Sequence, residues 1–253
     1  RVAAALAGAL AMAVAVVPVW RSLHKLGFTL ASAHTLPVQR PTAIAFDGAS
    51  LWVAEWNGTL TAFDPNDPAQ PLKQVPIEIS KPFHPAAVGI WGDKMYTLDA
   101  AQGRILRQSL DRPEKVEDAW PTPGPAPVAL AHDGRNLWSY DAATRLLYKH
   151  LGEGSESQVE AFKVGMDAVL TTMRWYKGEL WAWDAKGKQI VVLKRSGNEF
   201  DPVQSAPLPV GVASLLLTVR ADPKAEGTQH LEMWALTTGA DGSTSLSKYL
   251  VGR

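Results

Sequence analysis

Cysteine is absent from the 253 residues. Disulfides, thiolate nucleophiles and Cys-ligated zinc or iron–sulfur centres are therefore excluded. Net charge is missing too. Lys plus Arg is 25 and Asp plus Glu is 25, so no basic field exists to draw in nucleic acid. Beyond residue 25 no long stripe of period 3.6 appears, which argues against a helical bundle. The chain also lacks a Gly-rich phosphate loop, a G-x-S-x-G turn and any H-x-H or H-E-x-x-H pair. These gaps remove the usual signatures of nucleotide binding, serine hydrolysis and zinc catalysis.

The N-terminus, by contrast, is rich in signal. Arg1 is followed by nineteen uncharged residues, Val2 to Trp20, eight of them Ala. As a helix they would extend roughly 28 Å, close to the thickness of bilayer hydrocarbon. Trp20, Arg21, His24 and Lys25 come next, placed as interfacial anchors would be. A cleaved signal peptide is the rival reading, with Ala9-Leu10-Ala11 or Ala13-Val14-Ala15 as the cleavage site. The apolar run exceeds an ordinary signal core, so the expectation is a retained transmembrane anchor with its flank over 1–25 and a second domain over 26–253. The small residues Ala4 and Gly8, and Ala7, Ala11 and Ala15, are spaced by four and would let a partner helix approach closely. An uncleaved anchor of this kind exports the domain attached to its C-terminal end. The expected location is therefore single-pass in the membrane, with the large domain periplasmic or extracytoplasmic. The basic residues after the run point the other way by the positive-inside rule.

The remainder repeats. SLWVAEWNGTL from Ser50, KMYTLDAAQGRIL from Lys94, NLWSYDAATRLL from Asn136 and ELWAWDAKGKQI from Glu179 align, with a weaker copy from Leu231. The recurring aromatics Trp52, Tyr96, Trp138, Trp181 and Trp234 are spaced by 44, 42, 43 and 53 residues. The last spacing reads as the same unit with an insertion near 221–229. Each unit carries short alternating runs separated by Asp-Gly, Lys-Gly or Asn-Gly, which are strand and hairpin signals. Four antiparallel strands every forty-odd residues is the arithmetic of a β-propeller. The expected fold class is all-β, five four-stranded blades behind one transmembrane helix. The strand-like segment 26–34 would complete the fifth blade from the front of the chain. The aromatics would wedge between neighbouring blades.

The segments Leu137-Trp138-Ser139-Tyr140-Asp141-Ala142, Leu180-Trp181-Ala182-Trp183-Asp184-Ala185 and Met95-Tyr96-Thr97-Leu98-Asp99-Ala100 resemble the divergent repeats of the YVTN, NHL and PQQ-type quinoprotein-like propeller families. The resemblance covers roughly 40–250. It implies the fold and leaves function open, because propellers host enzymes, cofactor binders and interaction modules alike.

Candidate sites are few. Asp99, Asp141 and Asp184 stand three residues after the aromatic, with Glu55 in the first unit. An acid before a hairpin turn accepts backbone N–H bonds and fixes the turn. A ring of carboxylates for a cation is the competing reading. The first strands of the units hold almost no carboxylates, which gives no pattern for calcium. His84 and His132 are the pair to weigh for one channel mouth, against ordinary packing histidines. Arg174, Trp175, Arg104 and Arg135 have the residue types of a quinone-cofactor platform, but their expected places are loops of different blades. No catalytic, cofactor or metal residue is therefore assigned, and no cofactor is expected. The Pro-rich stretches 121–127 and 202–209 read as stiff linkers. The functional expectation is a non-catalytic accessory subunit of a larger membrane complex, respiratory or photosynthetic. Its partners would be other transmembrane helices, extramembrane subunits and lipid, with no nucleic acid. The alternative is a membrane-anchored hydrolase or ligand-binding propeller working at the channel mouth.

Overall fold

A computed structural model of the chain describes residues 26–208, 211–221, 229–239 and 241–252. The segment 1–25, with Ala4, Ala7, Gly8, Ala11 and Ala15, lies outside the described residues, as does most of the insertion near 221–229. Among the described residues no helix is long and apolar enough to cross a membrane, and every regular element is a strand.

The chain opens with β1 (Gly27–Leu36). The first unit comprises β2 (Pro41–Phe46), β3 (Leu51–Glu55), β4 (Thr59–Phe63) and β5 (Pro71–Pro76). The second is β6 (Pro85–Trp91), β7 (Lys94–Asp99), β8 (Arg104–Ser109) and β9 (Arg112–Pro121). The third is β10 (Pro127–His132), β11 (Leu137–Asp141), β12 (Leu146–Leu151) and β13 (Gln158–Val164). The fourth is β14 (Leu170–Tyr176), β15 (Glu179–Asp184), β16 (Gln189–Ser196) and β17 (Glu199–Pro207). The chain ends with β18 (Ser214–Ala221), β19 (Gln229–Thr238) and β20 (Thr244–Gly252).

Each unit is an antiparallel meander. The third and fourth fuse into one eight-stranded sheet through a short parallel pairing of Lys163 with Glu199 and Val164 with Phe200. The last three strands form a sheet with the first, in the order β1-β20-β19-β18. Segment 26–34 thus enters the final sheet as its outer strand, and the two ends of the described chain are hydrogen-bonded together.

The first strands β2, β6, β10, β14 and β18 stand side by side, each packing against the next, and β18 packs against β2. The sheets therefore surround an axis. Each inner strand before β18 shows a bulge one residue in, at Pro41, Pro85, Pro127 and Leu170. Three of these are prolines at the first strand position, where the missing N–H disturbs the ladder least. The stretch 202–209, expected as a linker, differs. Pro202 and Pro207 belong to β17, and the register shifts beside Pro202 between Val192 and Leu193. An outer strand tolerates proline because one of its edges needs no partner.

The core is divided among the gaps between sheets, and each gap holds one of the recurring aromatics. Trp52 packs with Val88 and Met95 of the second unit. Tyr96 packs with Leu130 and Leu137 of the third. Trp138 sits with Met173 and Leu180 of the fourth. Trp181 lies with Leu215 and Met233 of the last sheet, and Trp234 with Ile44, Leu51 and Val53 of the first unit. A sheet of four short strands cannot bury both faces alone, and its neighbours do it.

Candidate functional site

The repeated acids come first, because they set where the inner strands begin. Asp141 is fully buried. Its Oδ1 accepts from the N–H groups of Ala143 and Thr144 at 3.1 and 2.7 Å, in the turn after β11. Its Oδ2 accepts from Ala126 N–H at 2.5 Å, just before β10. Asp99 Oδ1 accepts from the N–H groups of both Ala101 and His84, and Asp184 Oδ1 from those of Lys186 and Val169, so each joins the same two places through one oxygen. Glu55 accepts from Gln39 N–H at 2.7 Å. Each carboxylate therefore clips a turn, or the end of β3, to the entry of the inner strand of its own unit. The carboxylates sit in different units and do not converge. Gly124 (φ +86°) lies against the clip, and a Cβ there would come within 2.5 Å of the Asp141 carboxyl. Asp141→Ala strands the N–H groups of Ala126 and Thr144. We expect a loss of about 2–3 kcal/mol, read as a shift of the urea midpoint with unchanged slope.

A second acid fixes the aromatics. Asp47 Oδ2 accepts from Trp52 Nε1–H and Asp133 Oδ2 from Trp138 Nε1–H, both at 2.7 Å, while each Oδ1 caps the turn behind it. This Asp-Gly-x-(Ser/Asn)-Leu-Trp pattern orients the wedge. The turn and indole hydrogen bonds hold both carboxyls below their ordinary range, against the opposing effect of burial.

Arg174 fills the axis. It lies in β14, not in a loop as expected, and opposite Trp181 in the ladder. At the equivalent position the other units carry Ala45, Gly89, Ala131 and Leu216. Three of these four are small, which leaves room for one long side chain. Its Nη2 donates to the carbonyl oxygens of Ile44 and, at 3.3 Å, Val88. Its Nη1 donates to Leu130 O at 3.4 Å and Met173 O at 2.8 Å. One guanidinium thus ties β2, β6, β10 and β14. Burial alone lowers its pKa to about 10, so it remains a cation at neutral pH. Where Arg174 does not reach, hydroxyls serve. Thr172 Oγ1 accepts from Leu215 N–H at 3.2 Å, and Ser214 Oγ accepts from Ile44 N–H at 3.1 Å, joining β18 to both neighbours.

The partners of Arg174 also show that the inner strands run in parallel at one height, so the axis has two distinct mouths. His84 precedes β6 and stacks on Trp56 at 4.2 Å between centroids. His132 ends β10 and stacks on Trp91, the last residue of β6, at 4.5 Å. The two histidines therefore sit at opposite mouths and cannot share a ligand. Among the described residues no group of three or more His, Asp or Glu side chains could hold a metal ion.

Comparison with solved structures decides the fold. Myxococcus xanthus glutaminyl cyclase superposes with a TM-score of 0.64 at 14% identity, over 90% of this chain and 99% of that one. The PQQ-bound aldose sugar dehydrogenase of Streptomyces coelicolor gives 0.51 at 12%, over 90% and 99%. The inactive H270A virginiamycin B lyase of Staphylococcus aureus with quinupristin gives 0.51 at 13%, over 87% and 68%. The fold is a β-propeller. At these identities the fold is what is shared. No family model matches the chain, and no curated protein matches its sequence.

The mouth at the ends of the inner strands carries a polar network that joins the second and third units. Glu153, in the loop after β12, reaches across to the second unit. Its Oε1 accepts from Tyr96 Oη–H at 2.5 Å and its Oε2 from Arg107 Nη1–H at 2.9 Å. Burial and the bond to Glu153 raise the Tyr96 pKa. The bonds from Tyr96 and Arg107 lower that of Glu153, against partial burial. His132 lies between Trp91 and Tyr96, at 4.5 and 6.3 Å. Its Nδ1 accepts from Gly134 N–H at 3.0 Å, which places the proton of the neutral ring on Nε2. Burial lowers its pKa, although Asp133 and Glu153 favour the cation. Sequence reasoning missed Glu153 because it stands outside every repeat motif. Of the other quinone-platform types, Arg104 pairs with Asp99 at 3.1 Å and Trp175 packs on Trp138 at 5.2 Å. Arg135 lies in the turn after β10, so the four do not converge.

One histidine lies away from both mouths. His150 is 1% exposed, with Nε2 at 2.9 Å from Ser139 Oγ. Burial lowers its pKa to about 4. The unfolded chain then binds a proton that the folded chain refuses. Stability is full above pH 6.5 and falls as pH drops toward 4, by about 3 kcal/mol from this group. We expect His150→Gln to flatten the pH dependence of the unfolding midpoint between pH 6.5 and 4. An unchanged slope would show that His150 protonates freely in the folded state.

Proposed function

We propose that this chain is a non-catalytic accessory subunit of a larger membrane protein complex, respiratory or photosynthetic. It is a five-bladed propeller behind one retained transmembrane anchor, and the propeller lies on the periplasmic or extracytoplasmic side. The observation that carries this reading is the filled axis. The Arg174 guanidinium commits its four Nη bonds to main-chain carbonyls of four strands, which supports a structural use of the axis. The clips at Asp99, Asp141 and Asp184 add to a body built for fixed shape, which suits a permanent interface by limiting the entropy lost on docking. The nineteen-residue apolar run joins this body almost directly, since Leu26 is 6% exposed in the core beside Trp181.

The test is purification of the intact protein from native membrane with whatever accompanies it. Replacing Ala4, Gly8 and Ala11 together with Leu should reduce co-purification at least about tenfold while the propeller melts at its usual temperature. Normal recovery of the complex by that variant would end the helix-packing idea. A second reading, a small-ligand or hydrolytic site, is favoured by the Tyr96, Arg107, His132 and Glu153 network at one mouth. Binding of a small molecule lost in Glu153→Gln but kept in Trp56→Ala would favour it.

A further inference from the structure

We infer that the propeller face where the inner strands end, the face bearing Trp91, His132 and Arg135, lies against the lipid bilayer. The inference rests on the anchor reading above and adds which face meets the membrane.

The geometry comes from register. Gly27, the first residue of β1, pairs with Gly252, and Thr29 pairs with Leu250. Leu250 pairs with Glu232, and Glu232 with Thr218 near the end of inner strand β18. The chain therefore enters the propeller at the level where inner strands end. That is the level of Trp91 on β6 and His132 on β10. The other end of β1, Leu36, pairs with Thr244 at the opposite face. Leu26 is buried in the same cluster as Trp181 and Met233, and Tyr176 packs against that cluster. The root of the tether is thus fixed to the body.

The tether is short. From Trp20, where the uncharged run stops, to Leu26 are six residue steps, at most roughly 20 Å of chain. So short a link, no longer than the propeller is tall, favours the face from which it leaves. The apolar exposure agrees. Trp91 is 49% exposed, Val219 and Leu250 43%, and Leu151 41%, all toward this end of their strands. Lys177 Nζ stands 5.3 Å from the Tyr176 ring centroid on the same side, the aromatic-with-cation pairing that headgroup regions favour. At the far mouth Trp56 is the exposed counterpart, 41%. It stacks on His84.

The absence of cysteine makes the test clean. Single cysteines are placed in the full chain at Asp111, Arg135 and Asn198 on the proposed membrane face, and at Gln102, Ala143 and Lys186 on the far face. Each is labelled with a donor dye and reconstituted into phosphatidylcholine–phosphatidylglycerol vesicles carrying a headgroup acceptor. Inner strands of six to eight residues separate the faces by roughly 20–25 Å. Energy transfer should be at least about twofold more efficient from the first set. Equal transfer, or stronger transfer from the second set, overturns the proposed face while leaving the anchor intact. Failure of the unlabelled chain to float with vesicles overturns the anchor reading and this proposal with it.

Discussion

Arg174→Met should lower the unfolding free energy by about 3–5 kcal/mol. Methionine has a similar reach and no donor. It leaves the carbonyl oxygens of Ile44, Val88 and Leu130, all partners of the guanidinium, without their bond at the centre of the ring. Each such stranded group costs about 1–3 kcal/mol, offset where water enters. Removing a buried cation returns some desolvation energy. However, the partners here are main-chain atoms that remain in place, so the change breaks an arrangement and does not replace one. For a domain of this size the midpoint should fall by about 10 °C. Arg174→Lys keeps the charge but offers three tetrahedral donors in place of a planar fork, and should lose roughly half as much. Thermal unfolding followed by tryptophan fluorescence reads both. A methionine variant as stable as the parent would mean that the inner strands hold the ring without the cation.

The second large effect concerns the wedge between the fourth unit and the last sheet. Trp181 is 0% exposed and packs in the gap with Leu215 and Met233. Trp181→Ala opens a cavity that four short strands cannot collapse around, and should cost about 3–5 kcal/mol. Trp56→Ala is the control. Trp56 is exposed at a mouth, and its loss should cost under about 1 kcal/mol. Equal losses from the two would mean that the gaps between sheets are not where the stability lies. Because Trp181 and Arg174 are cross-strand neighbours, their double variant should fall short of additivity.

Much of the fold was legible because it is local. The strands, the turns and the spacing of the aromatics are written within a dozen residues each, in alternation and in Asp-Gly signals. Asp99, Asp141 and Asp184 were legible as turn-fixing groups for the same reason, since Asp141 caps Thr144 three residues on, whereas Glu55 accepts from Gln39 N–H before β2 and caps no turn. The second bond of the aspartates was not, because Ala126 lies fifteen residues back, just before another strand. The separation of His84 from His132 was likewise invisible. One immediately precedes an inner strand and the other ends one, a distinction that needs the strand boundaries placed to within a residue. Arg174 left a faint trace. Aligning the strand before each aromatic puts it opposite Trp181, where other units have Ala45, Gly89 and Ala131. A long cation at a position otherwise small signals an axis to be filled, but only to a reader who already has the ring.

Local sequence was enough to specify short antiparallel sheets in series, with an aromatic at a fixed place in each and an acid to set the turn in three of them. Those are choices of backbone angle and face, made between residues near each other in the chain. Folding in three dimensions was needed to turn the carbonyls of Ile44, Val88 and Leu130 on one guanidinium, and to bridge Glu153 to Tyr96 and Arg107 of another unit. It was needed too for the first strand to close the last sheet, at the end of the ring where Trp91 is exposed. These contacts join residues 44 to more than 200 positions apart, and their geometry exists only once the circle has closed.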